Sequence, residues 1–358
     1  MQTRRHFLKN LSLASLAGLT ATLPSRASAA PKKLRWRIAL AVPKTLPIWG
    51  DGVIRFAERV KTMSQGELSI KVYGAGELVP AFGIFDAVKS GSIQMGHGTP
   101  YYYQGKVPES PFFSTLPFGM NAAATNAWLM AGGGQELWEE LMAPHGIICF
   151  ACGTPGYQTT GWFTKEINSI ADLKGLKIRI PGLASKIYAK AGATPILLPG
   201  AEIFTSLSTG VIDAVEWVGP YHDYTMGFQK VAKYLYGGSW HEPGSTLDLM
   251  INKQAWESLP AHLQMILRSA AAETNEWMWA QFESKNAEFL AKIKAEGKIQ
   301  IRNFSREILQ QLKVYSDEVI GELANSSPIA KRIYTSYTDF QKGYEAYNRL
   351  SVYTFDNA

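Results

Sequence analysis

The sequence predicts an α/β protein of two lobes, followed by a helical C-terminal third. Three observations lead there. Strand and helix patterns alternate between about 35 and 98, and a second run of the same kind begins near Gly161. From about 253 onward the chain reads almost wholly as helix. Between these lies Asp172–Gly182, a turn, a short strand and a stop.

In the first run, Arg35–Ala41 reads as a strand, Ile54–Met63 as a helix and Leu68–Tyr73 as a cleanly alternating strand closed by Gly74. A helix over Phe82–Ser90 and a strand over Ile93–Gly98 complete a β-α-β-α-β order, the mark of a mainly parallel sheet with helices on its faces. In the second run, Leu176, Ile178 and Ile180 alternate with Lys177 and Arg179, the period of a half-buried strand that Pro181 and Gly182 terminate. Helices are expected at Ala184–Ala191 and Ala201–Thr209, and strands at Ile196–Leu198 and Ala214–Val218. Later helices are expected at Lys253–Leu259, Ala261–Gln281, Glu283–Glu296, Arg306–Ala324 and Thr335–Leu350. The pattern from Ala261 to Glu296 is nearly continuous, and Gly297 is a natural stop. Such a chain describes two lobes that close on a ligand.

At the N-terminus, Arg4-Arg5 precedes an apolar run from Leu11 to Leu23, and Ala27-Ser28-Ala29 offers a cleavage site. That order predicts a twin-arginine export signal over residues 1–29. Of the formal net charge of +6, the signal carries four cations (Arg4, Arg5, Lys9, Arg26) and no acid, which leaves +2 for the rest. No Lys/Arg block interleaved with aromatics stands out, so a nucleic-acid partner is not expected. A mature chain of about 330 residues is long enough for two domains. The two cysteines form Cys149-Phe150-Ala151-Cys152 within a strand-like run. Residues three apart on a strand lie about 10 Å apart on opposite faces, so a disulfide is not expected.

No nucleophile elbow, phosphate loop or zinc-binding H-E-x-x-H helix is present. What remains is polar residues at strand ends, where ligands gather in open α/β sheets. Arg179 is a strand-end cation whose guanidinium suits a carboxylate, though a solvated strand-end arginine has the same signature. Gln158 precedes Thr159-Thr160-Gly161-Trp162, Glu216 sits in the apolar run Ala214–Val218, and Glu242 follows Trp240-His241. Two acids, a Gln oxygen and a backbone carbonyl suit a hard cation such as Ca²⁺ or Na⁺. The competing expectation is that Glu216 and Glu242 pair with Lys or Arg across the hinge as plain structural salt bridges. His241 reads as a surface hinge residue.

Three segments carry a family resemblance: Gly83–Gly91, Asp172–Arg179 and Leu207–Trp217. They resemble the solute-binding proteins of tripartite ATP-independent periplasmic (TRAP) transporters, in particular the subgroup for 2-oxo and 2-hydroxy monocarboxylates, over essentially the whole mature chain. The resemblance implies the two-lobed periplasmic binding protein fold, with a long helix spanning both lobes and a C-terminal helix. It implies no enzymatic activity, a periplasmic location, and delivery of a small carboxylate such as pyruvate or lactate to membrane permease subunits. Arg179 would take the carboxylate, with Gln158, Tyr102, Phe204 and Trp217 also on the substrate. A Na⁺ or Ca²⁺ ion would be held by Gln158, Glu216, the Trp217 carbonyl and Glu242. Trp162 and Trp240 would join Phe204 and Trp217 in an apolar wall. Lobe I would comprise 30–153 and about 243–283, and lobe II 154–242 and about 284–333. Residues 334–358 would form a helix serving a homodimer, and Tyr334, Tyr337, Phe340, Tyr344, Tyr347 and Leu350 give that helix an apolar stripe. Rival readings are an exported metal-dependent enzyme acting on a 2-oxo acid and a ligand-binding partner of a sensor kinase.

Overall fold

Two sheets organise the protein. The computed structural model describes residues 33–356, and the expected export signal lies outside them. In chain order the first half contains β1 (Leu34–Leu40), α1 (Trp49–Met63), β2 (Leu68–Tyr73), α2 (Ile84–Lys89), β3 (Met95–Gly98), α3 (Ala122–Ala131), α4 (Gly134–Met142), β4 (Ile147–Ala151) and β5 (Gly161–Phe163). Then come β6 (Lys177–Arg179), α5 (Gly182–Lys190), β7 (Thr194–Ile196), α6 (Gly200–Ser208), β8 (Ala214–Val215), α7 (Pro220–Thr225), β9 (Tyr234–Tyr236) and β10 (Asp248–Asn252). The helical third holds α8 (Lys253–Glu257), α9 (Ala261–Glu296), β11 (Gln300–Arg302), α10 (Arg306–Ala324) and α11 (Pro328–Asp356).

The first sheet has the order β2-β1-β3-β10-β4 and the second β11-β9-β5-β8-β6-β7. In the first, β1 runs parallel to β2 and β3, while β10 runs antiparallel to both β3 and β4. Each sheet borrows a strand from far along the chain: β10 enters the first only after the second is nearly complete, and β11 edges the second from beyond α9. Helix α9 is one uninterrupted element of 36 residues, about 54 Å long. It packs on α1 and β4 beside the first sheet and on α7 beside the second, which lets it span both. Gly297, at φ 64°, ends it in the left-handed region that glycine tolerates.

Both hydrophobic clusters draw from both sheets. One joins Ala39, Ile84 and Trp128 to Phe163, Ile178 and Tyr188; the other joins Ile38 and Phe56 to Trp162 and Val215. Cys149 belongs to the first cluster and Cys152 to the second, on opposite sides of β4, and both are free and fully buried. Burial pushes both thiols up, away from the reactive thiolate.

Several expectations need correction. The strand expected at Ala214–Val218 stops at Val215, so Glu216 lies just past a strand end rather than within one. The strand expected at Ile196–Leu198 sits earlier, at Thr194–Ile196. The last helix begins at Pro328, not Thr335. Its stripe divides. Tyr337 is core, its hydroxyl accepting from the Met120 N–H at 2.7 Å, and Tyr334, Phe340 and Tyr344 are half-buried. Tyr347 and Leu350 are 65% and 80% exposed.

Candidate binding site

Three chain segments meet where the two sheets face each other. Parallel pairing of β6 with β8 sets Arg179 beside Val215, and the ladder continues one step as the Glu216 N–H donates to the Arg179 carbonyl at 3.0 Å. The chain then turns through Trp217-Val218-Gly219. Asp223 fixes that turn by accepting from the Val218 and Gly219 N–H groups at 3.2 and 3.1 Å, and from the Trp162 indole at 2.9 Å. Burial raises the Asp223 carboxyl to about 7 against these donors. The loop between β4 and β5 is stitched to both other segments: the Gln158 N–H donates to the Glu242 carbonyl and the Thr159 N–H to the Val218 carbonyl. The Ser239 hydroxyl in turn donates to the Gln158 carbonyl.

Arg179 is not a solvated strand-end residue; it is 1% exposed, among the most deeply buried large side chains. The expected alternation held for the apolar side of the strand and failed for the polar side, because a second layer covers it. Its Nη1 donates to the Glu216 carbonyl at 2.6 Å and lies 3.3 Å from Glu216 Oε2, and Nε donates to the Leu198 carbonyl at 3.3 Å. Nη2 has only a 3.5 Å contact with the Tyr102 hydroxyl, so this edge of the fork is the one left for a ligand. The guanidinium carbon lies 4.9 Å from the Trp217 ring centroid, a cation–π contact. Glu216 does pair with an arginine, but within one sheet and not across the hinge as expected.

The Gln158 amide donates to Glu242 Oε2 at 2.5 Å, which leaves its oxygen free of partners. Gln158 Oε1, Glu216 Oε1, both His241 ring nitrogens and the Trp217 and Trp240 indole N–H groups are all buried without a hydrogen-bond partner. Glu216, His241 and Glu242 present ligand atoms within 4.8 Å of one another. Orphaned buried polar atoms cost about 1–3 kcal/mol each, so such a concentration marks a place built for something else. The oxygens of Gln158, Glu216 and Glu242 form a hard donor set that fits Ca²⁺ or Na⁺. Burial, and then the charge of Glu216, push the Glu242 carboxyl well above its ordinary range. A cation set among these oxygens would reverse that pressure.

His241 was expected at the surface of a hinge; it is 1% exposed, with Nε2 3.5 Å from Glu216 Oε1. Only the fold of the Gly237–Glu242 segment turns it inward, and no sequence period signals this. Among the expected wall residues, Trp217 and Trp240 border the cluster, Trp240 packing beside His241. Trp162 does not; it is fully buried and committed to Asp223. Phe204 is half-buried on α6 with its ring edge against Gly227, and has no described aromatic or cation–π contact with Trp217 or Arg179. Tyr102 reaches Arg179, its neighbour Tyr101 lies beside Glu242, and Tyr103 turns into the first sheet to donate to Asp248 at 2.9 Å.

Comparison with known proteins places the chain in a family. The chain is 38% identical to a monocarboxylate 2-oxoacid-binding periplasmic protein of Nostoc sp., over 99% of this chain and 98% of that one. A crystal structure of a TRAP periplasmic solute binding protein from Colwellia psychrerythraea, with bound calcium and pyruvate, superposes with a TM-score of 0.89 at 42% identity, over 91% of this chain and all of that one. A second, from Pseudoalteromonas atlantica T6c with bound sodium and pyruvate, gives 0.89 at 41%, over 91% and 99%. The model of the DctP family, bacterial extracellular solute-binding protein family 7, matches residues 41–327. With most of its length matched and its two-sheet fold shared, the chain belongs to this family of extracellular solute-binding proteins.

Proposed function

We propose that this protein is the periplasmic component of a TRAP transporter, that it captures a small 2-oxo monocarboxylate such as pyruvate together with Ca²⁺ or Na⁺, and that it hands the acid to membrane permease subunits. The observation that carries the reading is the sealed cluster of orphaned oxygens beside a guanidinium with one free edge. Arg179 binds the ligand carboxylate through Nη2. Gln158, Glu216, the Trp217 carbonyl and Glu242 hold the cation, which supplies positive charge to the ligand's 2-oxo oxygen. The two sheets with their helices act as two lobes, divided as the sequence suggests, and close to exclude water.

Formal charge supports both ions. Glu216 and Glu242 ionised against Arg179 leave −1, and a bound monocarboxylate makes −2, which Ca²⁺ neutralises. With one of the two acids carrying a proton when the cation binds, the sum is −1, which Na⁺ neutralises. We read the protein as non-catalytic, since both acids are engaged by the cation. The exposed Tyr347 and Leu350 near the end of α11 support a homodimer through that helix.

The test is thermal unfolding with pyruvate, lactate and longer 2-oxo acids, after chelation and after restoring Ca²⁺ or Na⁺. Ligand at a hundred times Kd adds about 2.7 kcal/mol, enough to raise the midpoint by a few degrees. The rise is expected only with the cation present, and Glu216→Gln should lose that cation dependence. A pyruvate shift indifferent to chelation sinks the cation role; no shift with any acid sinks the substrate class.

A further inference from the structure

A site sealed this completely must open to load, since Gln158, Arg179, Glu216, Trp217, His241 and Glu242 are each at most 4% exposed. Contacts that bridge the two sheets around it must then break and re-form with each ligand. One bridge has unusual construction. Between β1 and α1 the chain makes a three-residue turn, Pro47-Ile48-Trp49, in which the Trp49 N–H donates to the Pro47 carbonyl at 2.7 Å. Its centre, Ile48, has φ 61° and ψ −59°. This is the rarer and strained form of γ-turn, here with a β-branched residue at a φ such residues avoid. The turn is braced from behind: Gly50 lets the Lys44 carbonyl approach to where a side chain would stand, and the Ile48 N–H donates to Asp51 Oδ2 at 3.2 Å. Strain of this kind persists where surrounding contacts impose it, and it concentrates at clamps and switches.

Both ends of the turn meet the second sheet's loops. The Pro47 carbonyl, already bonded to Trp49, also accepts from His222 Nε2 on α7 at 2.6 Å. The Trp49 ring stacks on Trp217, with centroids 6.4 Å apart and planes at 21°. Trp49 is itself aimed from the first sheet. Its indole N–H donates to His97 Nδ1 at 3.0 Å, and His97 Nε2 lies 3.1 Å from the Cys152 carbonyl, an arrangement that fixes a neutral imidazole. A continuous path therefore runs from β3 through His97, Trp49 and Trp217 to the Arg179 guanidinium.

We propose that the Pro47–Trp49 turn is the latch of the binding site: His222 and Trp217 grip it when the two sheets close, and Trp49 and His222 are positioning residues that hold Trp217 beneath Arg179 in the sealed state. The proposal rests on the solute-binding reading above. His222→Phe keeps a ring of similar shape against Phe282 and removes one donor, while the Pro47 carbonyl keeps its bond from Trp49. The ligand-free fold is therefore spared. Trp49→Phe is the second variant.

Stopped-flow tryptophan fluorescence with pyruvate and Ca²⁺ should show the dissociation rate rising about three- to tenfold in His222→Phe, the worth of one net hydrogen bond, with the ligand-free melting midpoint nearly unchanged. Trp49→Phe should raise it as well, and the double variant by less than the product of the two, since both act on one turn. A lowered ligand-free midpoint with an unchanged dissociation rate would show a purely structural role and overturn the latch. A second arm does not depend on the ligand. Spin labels at Lys71→Cys and Lys174→Cys, exposed sites beside different sheets, report the separation by electron–electron resonance, the native cysteines being buried. Ligand-free protein samples the closed state as a minor population, and in His222→Phe that short-distance population should shrink; an unchanged distribution overturns the proposal. If the wild type binds none of the acids, the substrate reading fails while the label distances still decide the latch.

Discussion

Replacing Arg179 with methionine removes the guanidinium and keeps the length of its stem. The structure sets two consequences. For the ligand, the charge-assisted hydrogen bond from Nη2, worth about 1.5–3 kcal/mol, is lost, which corresponds to a Kd weaker by roughly 10- to 100-fold. For the fold, the Glu216 carboxylate and the Glu216 and Leu198 carbonyls lose their donor in a place that water does not reach. Breaking a buried pair on one side costs about 3–5 kcal/mol, against a total stability of about 5–15. Protonation of Glu216 would relieve part of that. Arg179→Lys is the companion variant, because it retains the charge but cannot serve Glu216, Leu198 and the ligand from one planar group, and it should weaken binding by less than methionine, about three- to tenfold, with a smaller stability cost. Isothermal titration with pyruvate and Ca²⁺ gives Kd, and circular dichroism of each ligand-free variant establishes that it is folded. A folded Arg179→Met protein whose Kd lies within about threefold of wild type would refute the assignment of the carboxylate to Arg179.

Two further outcomes are expected. Burial raises the Asp248 carboxyl from its ordinary value to about 7 despite the Tyr103 hydrogen bond. The folded state thus holds a proton that the unfolded chain releases near pH 4, so this group's contribution to stability falls as pH rises from about 4 to about 7. Relative to Asp248→Asn, the wild type should lose roughly 2–4 kcal/mol between pH 5 and pH 8 in urea unfolding, and parallel pH profiles would refute this. In solution, light scattering should give a dimer for the wild type and a monomer for the double variant Tyr347→Glu, Leu350→Glu; a monomeric wild type would remove the role of α11 in self-association.

The long, periodic elements were legible from local pattern. Leu68–Tyr73 and Arg306–Ala324 have the expected bounds, because alternation in one and a 3.6-residue stripe in the other each report a face that must be buried. Three of the six strands of the second sheet were invisible. β5, β9 and β11 have three residues each, too few to carry a period, and they exist only because neighbours complete their ladders. Strand β10 is buried on both faces and so shows no alternation. The same limit applies to Trp162, whose aromatic character suggested a pocket wall but whose indole is committed to Asp223.

By itself, the sequence determined which groups were available: one strand-end arginine, two acids and an amide, placed beside breaks in secondary structure, on a chain patterned for two sheets and a long helix. Local periodicity and side-chain chemistry suffice for that, because each is a property of neighbouring residues. Tertiary structure alone decided that these groups converge, that β8 ends one residue before Glu216, that Arg179 and His241 are sealed from water, and that Trp49 reaches across to Trp217. Those outcomes depend on contacts between residues tens to hundreds of positions apart, and only the packing of one sheet against the other selects them.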